Sequence, residues 1–217
     1  MAYNHFIISG LLLGILYLLY NKVHDTAILY KILKWILIFN FVSFNATLLL
    51  SGTFDYKLHL PIHLCYLTEL GIFLSIIFKS KILYPWLALN ALGGGITGFT
   101  NSNLSDDALL IEYIHLYASH FSLILFFIII YLNKFTISRY EFIQSTIFNA
   151  LIFFSVCYFN ILVESNYWFT MYRPPGANLA QLLPDWPGYL LGLIIIGLIS
   201  YYITFRLLQN INSRLYK

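Results

Sequence analysis

The chain alternates long apolar runs with short polar connectors. A helical span needs roughly 20 mainly apolar residues. Seven runs meet that length, at residues 3–20, 30–50, 61–78, 82–99, 109–132, 141–163 and 186–208. Two connectors are longer or more distinctive than the rest. Residues 100–108 are polar and acidic, and residues 164–185 are aromatic and proline-containing. No internal repeat, low-complexity tract or second domain breaks the order. The pattern predicts an all-α fold, a polytopic membrane helix bundle of seven transmembrane helices forming a single domain over residues 1–217.

Composition strengthens that expectation. The 217 residues are 60% hydrophobic and 10% charged, whereas a soluble domain carries about 25% charged residues. A soluble fold of this size would lack the charge to cover its surface. The net charge of +3 does not point to nucleic acid, because the basic residues are scattered through connectors. Lys22, Lys31, Lys34, Lys79, Lys81, Lys134, Arg139, Arg206, Arg214 and Lys217 fall on one side, and only Lys57 and Arg173 on the other. Basic loops stay in the cytoplasm. The expected topology therefore has the N-terminus outside and the C-terminus cytoplasmic, in the cell membrane. The first run lacks a basic start and a small-residue cleavage site, so it reads as a retained span. Cys65 and Cys157 both lie in apolar runs, which argues against a disulfide framework.

With that orientation, polar groups collect in the outer half of the bundle. Pro61 suits the first position of span three. Cys65 follows four residues later, and Glu69 lies at i+4 on the same face. Span five brings Glu112, His115, Ser119 and His120. Span four brings Asn90, Gly93, Gly94, Gly95 and Gly98, which permit either close helix approach or a broken helix lining a cavity.

Cys65 has two readings, a nucleophile served by an imidazole or a buried thiol acting as a small hydrophobe. His120 is the preferred base if spans three and five are neighbours. His115 and His120 are about 140° apart around a helix, so only one faces a shared pocket squarely. His59 is expected at the interface, and His63 on a different face from Cys65. His5 and His24 are expected at solvated ends. A metal site from His63, Cys65, His115 and His120 has no supporting ligand spacing, so neither metal nor cofactor is expected. Glu69 orients an imidazole, binds a substrate amine or bonds a neighbouring hydroxyl. The 164–185 stretch is a lid over a lipid headgroup or an interfacial anchor. In the lid reading, Asn166, Tyr167 and Arg173 contact substrate, with Arg173 matching phosphate. Residues 178–183 suit one short helical turn.

Taken together, Leu60-Pro61-Ile62-His63-Leu64-Cys65, His115 to His120, Asn166-Tyr167, Arg173-Pro174-Pro175, Leu182-Leu183 and Trp186-Pro187-Gly188-Tyr189 occur in this order around seven spans. The set resembles the bacterial YwaF-like family of integral membrane proteins. That family is similar to a eukaryotic plasmalogen-forming acyltransferase thought to use a cysteine and a downstream histidine. The matching residues are Cys65 and His120. Phe44 and Asn45 stand where span two often carries an acid–His–His–aromatic character. The resemblance implies acyl transfer through a Cys65 thioester with His120 as base, from a phospholipid donor to a lysolipid or lipoprotein acceptor. Asn90, His63 or a helix amide would steady the oxyanion, and His115 and Arg173 the headgroup phosphate. The alternative is a seven-helix binder or carrier of a lipid or small solute, without catalysis.

Overall fold

The computed structural model describes residues 2–105, 107–176 and 178–209, with side chains from residue 4 onward. Arg214 and Lys217, which entered the charge pattern above, and Asp106 of the acidic connector lie outside the described residues. Seven α-helices and two 3₁₀ turns make up the described fold, and no strand occurs among these residues. The helices are α1 (Ala2–Lys22), α2 (Thr26–Leu50), α3 (Leu64–Ile77), α4 (Tyr84–Thr100), α5 (Leu110–Leu132), α6 (Arg139–Val163) and α7 (Gly188–Gln209).

Local chemistry sets several ends. Asp25 Oδ1 accepts from the Ala27 amide at 2.8 Å and caps α2. Ser138 and Glu141 form a reciprocal capping box at α6. Glu112 Oε2 accepts the Leu109 amide at 2.6 Å at the start of α5. α6 stops where Glu164 turns left-handed, at φ 56°.

Five helices, α1, α2, α5, α6 and α7, are long and apolar enough to cross a membrane. α3, with 14 residues, and α4, with 17, are shorter. The expected span at 61–78 is thus corrected at its entrance. Pro61 is not the first helical residue. Residues 60–62 form a tight turn, with Ile62 N donating to Leu60 O at 2.7 Å, and the helix begins only at Leu64 after the His63 cap position.

α4 and α5 form the centre. α5 packs against α1, α2, α3 and α4, and α4 also meets α6 and α7. Both helices are deeply buried, with Leu87, Ala88, Leu89 and Ala91 of α4 and Leu123, Leu125, Phe126 and Ile129 of α5 fully enclosed. The outer helices turn large apolar side chains outward, among them Leu151, Phe154 and Ile161 on α6 and Leu191, Ile195 and Leu198 on α7. In water such a surface would aggregate; against lipid it needs no cover. These features define a multi-pass membrane protein. Because lipid tails are as apolar as leucine, packing and buried polar bonds hold the helices together. Trp86 Nε1 donates to Asn149 Oδ1 at 3.1 Å between α4 and α6, and Tyr201 OH donates to Asn90 Oδ1 at 2.7 Å between α7 and α4.

Residues 51–63, 101–105, 107–109, 164–176 and 178–187 gather at one end of the bundle, the loop face. Tyr167 ties them, its hydroxyl accepting the Leu60 amide at 2.9 Å and donating to Tyr56 O at 2.7 Å. The Leu179 amide donates to Asn101 Oδ1 at 2.6 Å. The short turn expected at 178–183 is present as Leu179–Leu182.

Candidate functional site

α4 runs unbroken through its glycines, so they serve close approach and not a broken helix. Cys65, the second residue of α3, is half-buried, with Sγ 4.0 Å from Gly94 O. A Cβ at Gly94 would stand 3.3 Å from Sγ and 3.3 Å from Leu123 Cδ1. One turn further along α4, the His120 imidazole occupies the space a Cβ of residue 98 would need. Thiol and imidazole thus seat on consecutive turns of one glycine stripe, about 6 Å apart along the helix axis. No hydrogen bond joins them.

His120 is buried, and its Nδ1 lies 2.6 Å from Leu116 O. A carbonyl oxygen only accepts, so Nδ1 carries the proton and Nε2 holds the lone pair. The side chain of His5 lies within electrostatic reach of His120. His5 is not a solvated end: it is buried, with Nδ1 3.0 Å from Tyr117 OH. Hydropathy alone missed this because the docking of α1 onto α5 through Tyr117 is a tertiary contact.

A second polar group lies between α2, α3 and α5. Glu69 is fully buried, and its Oε1 accepts from Asn40 Nδ2 at 2.7 Å. Asn40 Oδ1 in turn lies 3.2 Å from His115 Nδ1. The His115 ring stacks on Phe44 at a centroid distance of 4.0 Å and meets Tyr66 edge-on at 4.6 Å. His59, His63 and His120 all lie within electrostatic reach of His115. Asn40 escaped sequence reasoning. Its one signal was an amide in the middle of an apolar run, which needs a buried partner.

The remaining candidates hold the scaffold. The Asn90 amide donates to Trp86 O at 2.9 Å and receives the Tyr201 hydroxyl, which ties α4 to α7. Asn166 Oδ1 accepts the Met171 and Tyr172 amides at 2.9 and 3.2 Å, and its Nδ2 donates to Tyr172 O at 2.7 Å. Arg173 Nη2 donates to Leu183 O at 2.6 Å and pairs with Asp185 at 3.1 Å, inside its own loop. His63 Nδ1 accepts the Trp168 amide at 3.4 Å, and its ring packs on Tyr167 and Phe169. Burial lowers the His63 pKa to about 4 and pushes the Tyr167 phenol up to about 12. His59 Nε2 lies 3.5 Å from Glu112 Oε1. Among the described residues no group of three or more His, Cys, Asp or Glu is arranged to hold a metal ion.

Fold and site together define an all-helical, multi-pass membrane protein with a cysteine and several buried histidines gathered beneath one loop face. The model of the TMEM164 family matches residues 1–205, and the chain belongs to that family. No curated protein and no solved structure matches it.

Proposed function

We propose that the chain is a membrane lipid acyltransferase. An acyl group would leave a phospholipid, reside on Cys65 as a thioester, and pass to a lysolipid or lipoprotein acceptor at the outer leaflet. The observation that carries this reading is the shared seat of Cys65 and His120 on the Gly94–Gly98 stripe, with Nε2 left as proton acceptor. In the first half, His120 Nε2 takes the thiol proton as sulfur attacks the ester carbonyl. The donor alkoxide leaves and recovers that proton from His120. In the second half, an acceptor hydroxyl or amine attacks the thioester, and the thiol is regenerated.

Intact-protein mass spectrometry after incubation with phospholipid vesicles tests the reading. It requires a mass increase of one acyl chain, removable by hydroxylamine and absent in Cys65→Ala. The absence of a hydrogen bond between Sγ and His120 favours a second reading, a lipid binder without catalysis. That reading requires phospholipid binding unchanged in Cys65→Ser and no covalent adduct.

A further inference from the structure

The group formed by Glu69, Asn40 and His115 is not used by the first half-reaction. Glu69 and Asn40 are both fully enclosed, and a buried polar group without partners is costly. Ser119 Oγ lies against the Glu69 carboxyl as a weak partner, and neither it nor Glu69 Oε2 makes a well-aligned hydrogen bond. A side chain this awkward to bury calls for a reason beyond packing.

The hydrogen-bond directions supply one. The Asn40 amide has one donor end and one acceptor end. Its Nδ2 is fixed on Glu69 Oε1, so its Oδ1 must face His115. An amide oxygen only accepts, which puts the His115 proton on Nδ1 and the lone pair on Nε2. Nε2 has no hydrogen-bond partner among the described residues. Phe44 and Tyr66 hold the ring from two sides, and Tyr66 directly follows Cys65 in the chain. The molecule therefore carries two imidazoles with the same tautomer, each fixed from behind, one by Leu116 O and one by Asn40.

We propose that His115 is the base for the acceptor, with Asn40 and Glu69 as its positioning residues. The inference rests on the acyltransferase reading and assigns its second half-reaction. The acceptor's O–H or N–H proton passes to His115 Nε2 as the nucleophile bonds the acyl carbon. The C–S bond breaks, and the proton held by His115 returns to the sulfur. His120 serves charging of the thiol; His115 serves its discharge. The acceptor site lies on the Phe44–Tyr66 side of Cys65, and the donor site on the Gly98 side.

The test separates the two halves. Purified protein is charged from phosphatidylcholine vesicles, and the acyl adduct is then chased with lysophosphatidylcholine. His115→Gln should charge at the wild-type rate and discharge at least about 100-fold more slowly, the scale of a lost general base. His120→Gln should fail to charge. Glu69→Gln, which keeps an oxygen for Asn40, should discharge within about three-fold of wild type, whereas Glu69→Leu should behave like His115→Gln. A merely structural role would slow both halves together. Normal discharge in His115→Gln, or failure of that folded variant to charge, overturns this inference alone. A wild-type protein that never charges overturns it together with the acyltransferase reading. Should Glu69→Leu not fold, the His115→Gln split still decides.

Discussion

The imidazole of His120 fills the position where residue 98 would carry its Cβ, so Gly98 is a geometric condition for the ring's seat. Gly98→Ala should cost about 1–3 kcal/mol as an overpacked contact, and it should displace the imidazole from the stripe it shares with Cys65. Gly94→Ala is the milder change, because its Cβ would meet Sγ and Leu123 Cδ1 at 3.3 Å each and both can shift slightly. Gly10→Ala and Gly197→Ala meet nothing within 4 Å, and should stabilise their helices by up to about 1 kcal/mol. Melting in detergent should rank the four variants in that order. Equal stability of Gly98→Ala and Gly10→Ala would contradict the packing described.

The helices were legible because apolar run length is a local property. The predicted limits for α2, α5, α6 and α7 fall within two residues of the observed ends, except at the start of α2. There Asp25 caps the helix one turn ahead of the expected start at residue 30. Pro61 misled because the 60–62 turn is held by residues more than 100 positions away: Trp168 Nε1 donates to Ile62 O at 2.6 Å, and Tyr167 binds the Leu60 amide. The gathering of Cys65 with the α4 glycines and His120 was legible as clustering at one depth. The Asn40 bridge was not, since an asparagine within span two names no partner until α2, α3 and α5 are packed.

Asn160 is the hinge pin of the 164–187 loop. Its Nδ2 donates to Tyr167 O at 2.7 Å and Thr170 Oγ1 at 2.8 Å, while Oδ1 accepts from the Tyr167 amide at 2.9 Å and Ser165 Oγ at 2.8 Å. Asn160→Ala strands several buried polar groups at once. A loss on the order of 3 kcal/mol is expected, with faster protease cleavage between residues 165 and 187. A protease pattern identical to wild type would show that the loop is held by other contacts.

Arg173 faces its own loop, which separates two roles. Replacing it by Ala removes the bonds to Leu183 O and Asp185 and the ring contact with Tyr189 at 5.7 Å. Cleavage within residues 174–185 should accelerate, while phospholipid binding should stay within about two-fold, since exposed ion pairs contribute little. A ten-fold loss of phospholipid binding with an intact loop would return Arg173 to headgroup recognition.

His63 gives the loop a pH limit. It lies ahead of α3, and its Nδ1 accepts the Trp168 amide, which requires an unprotonated nitrogen. Burial lowers its pKa from 6.5 to about 4, so the unfolded or detached segment binds the proton more readily than the folded one. The contact is therefore intact above pH 6.5 and lost progressively as pH falls toward 4. Protease sensitivity of the 164–187 loop should rise across that window, together with a change in Trp168 emission. His63→Gln keeps an acceptor oxygen that does not titrate in this range, so its loop should remain protected at pH 5. Parallel acid release in wild type and His63→Gln would assign the pH response to another group.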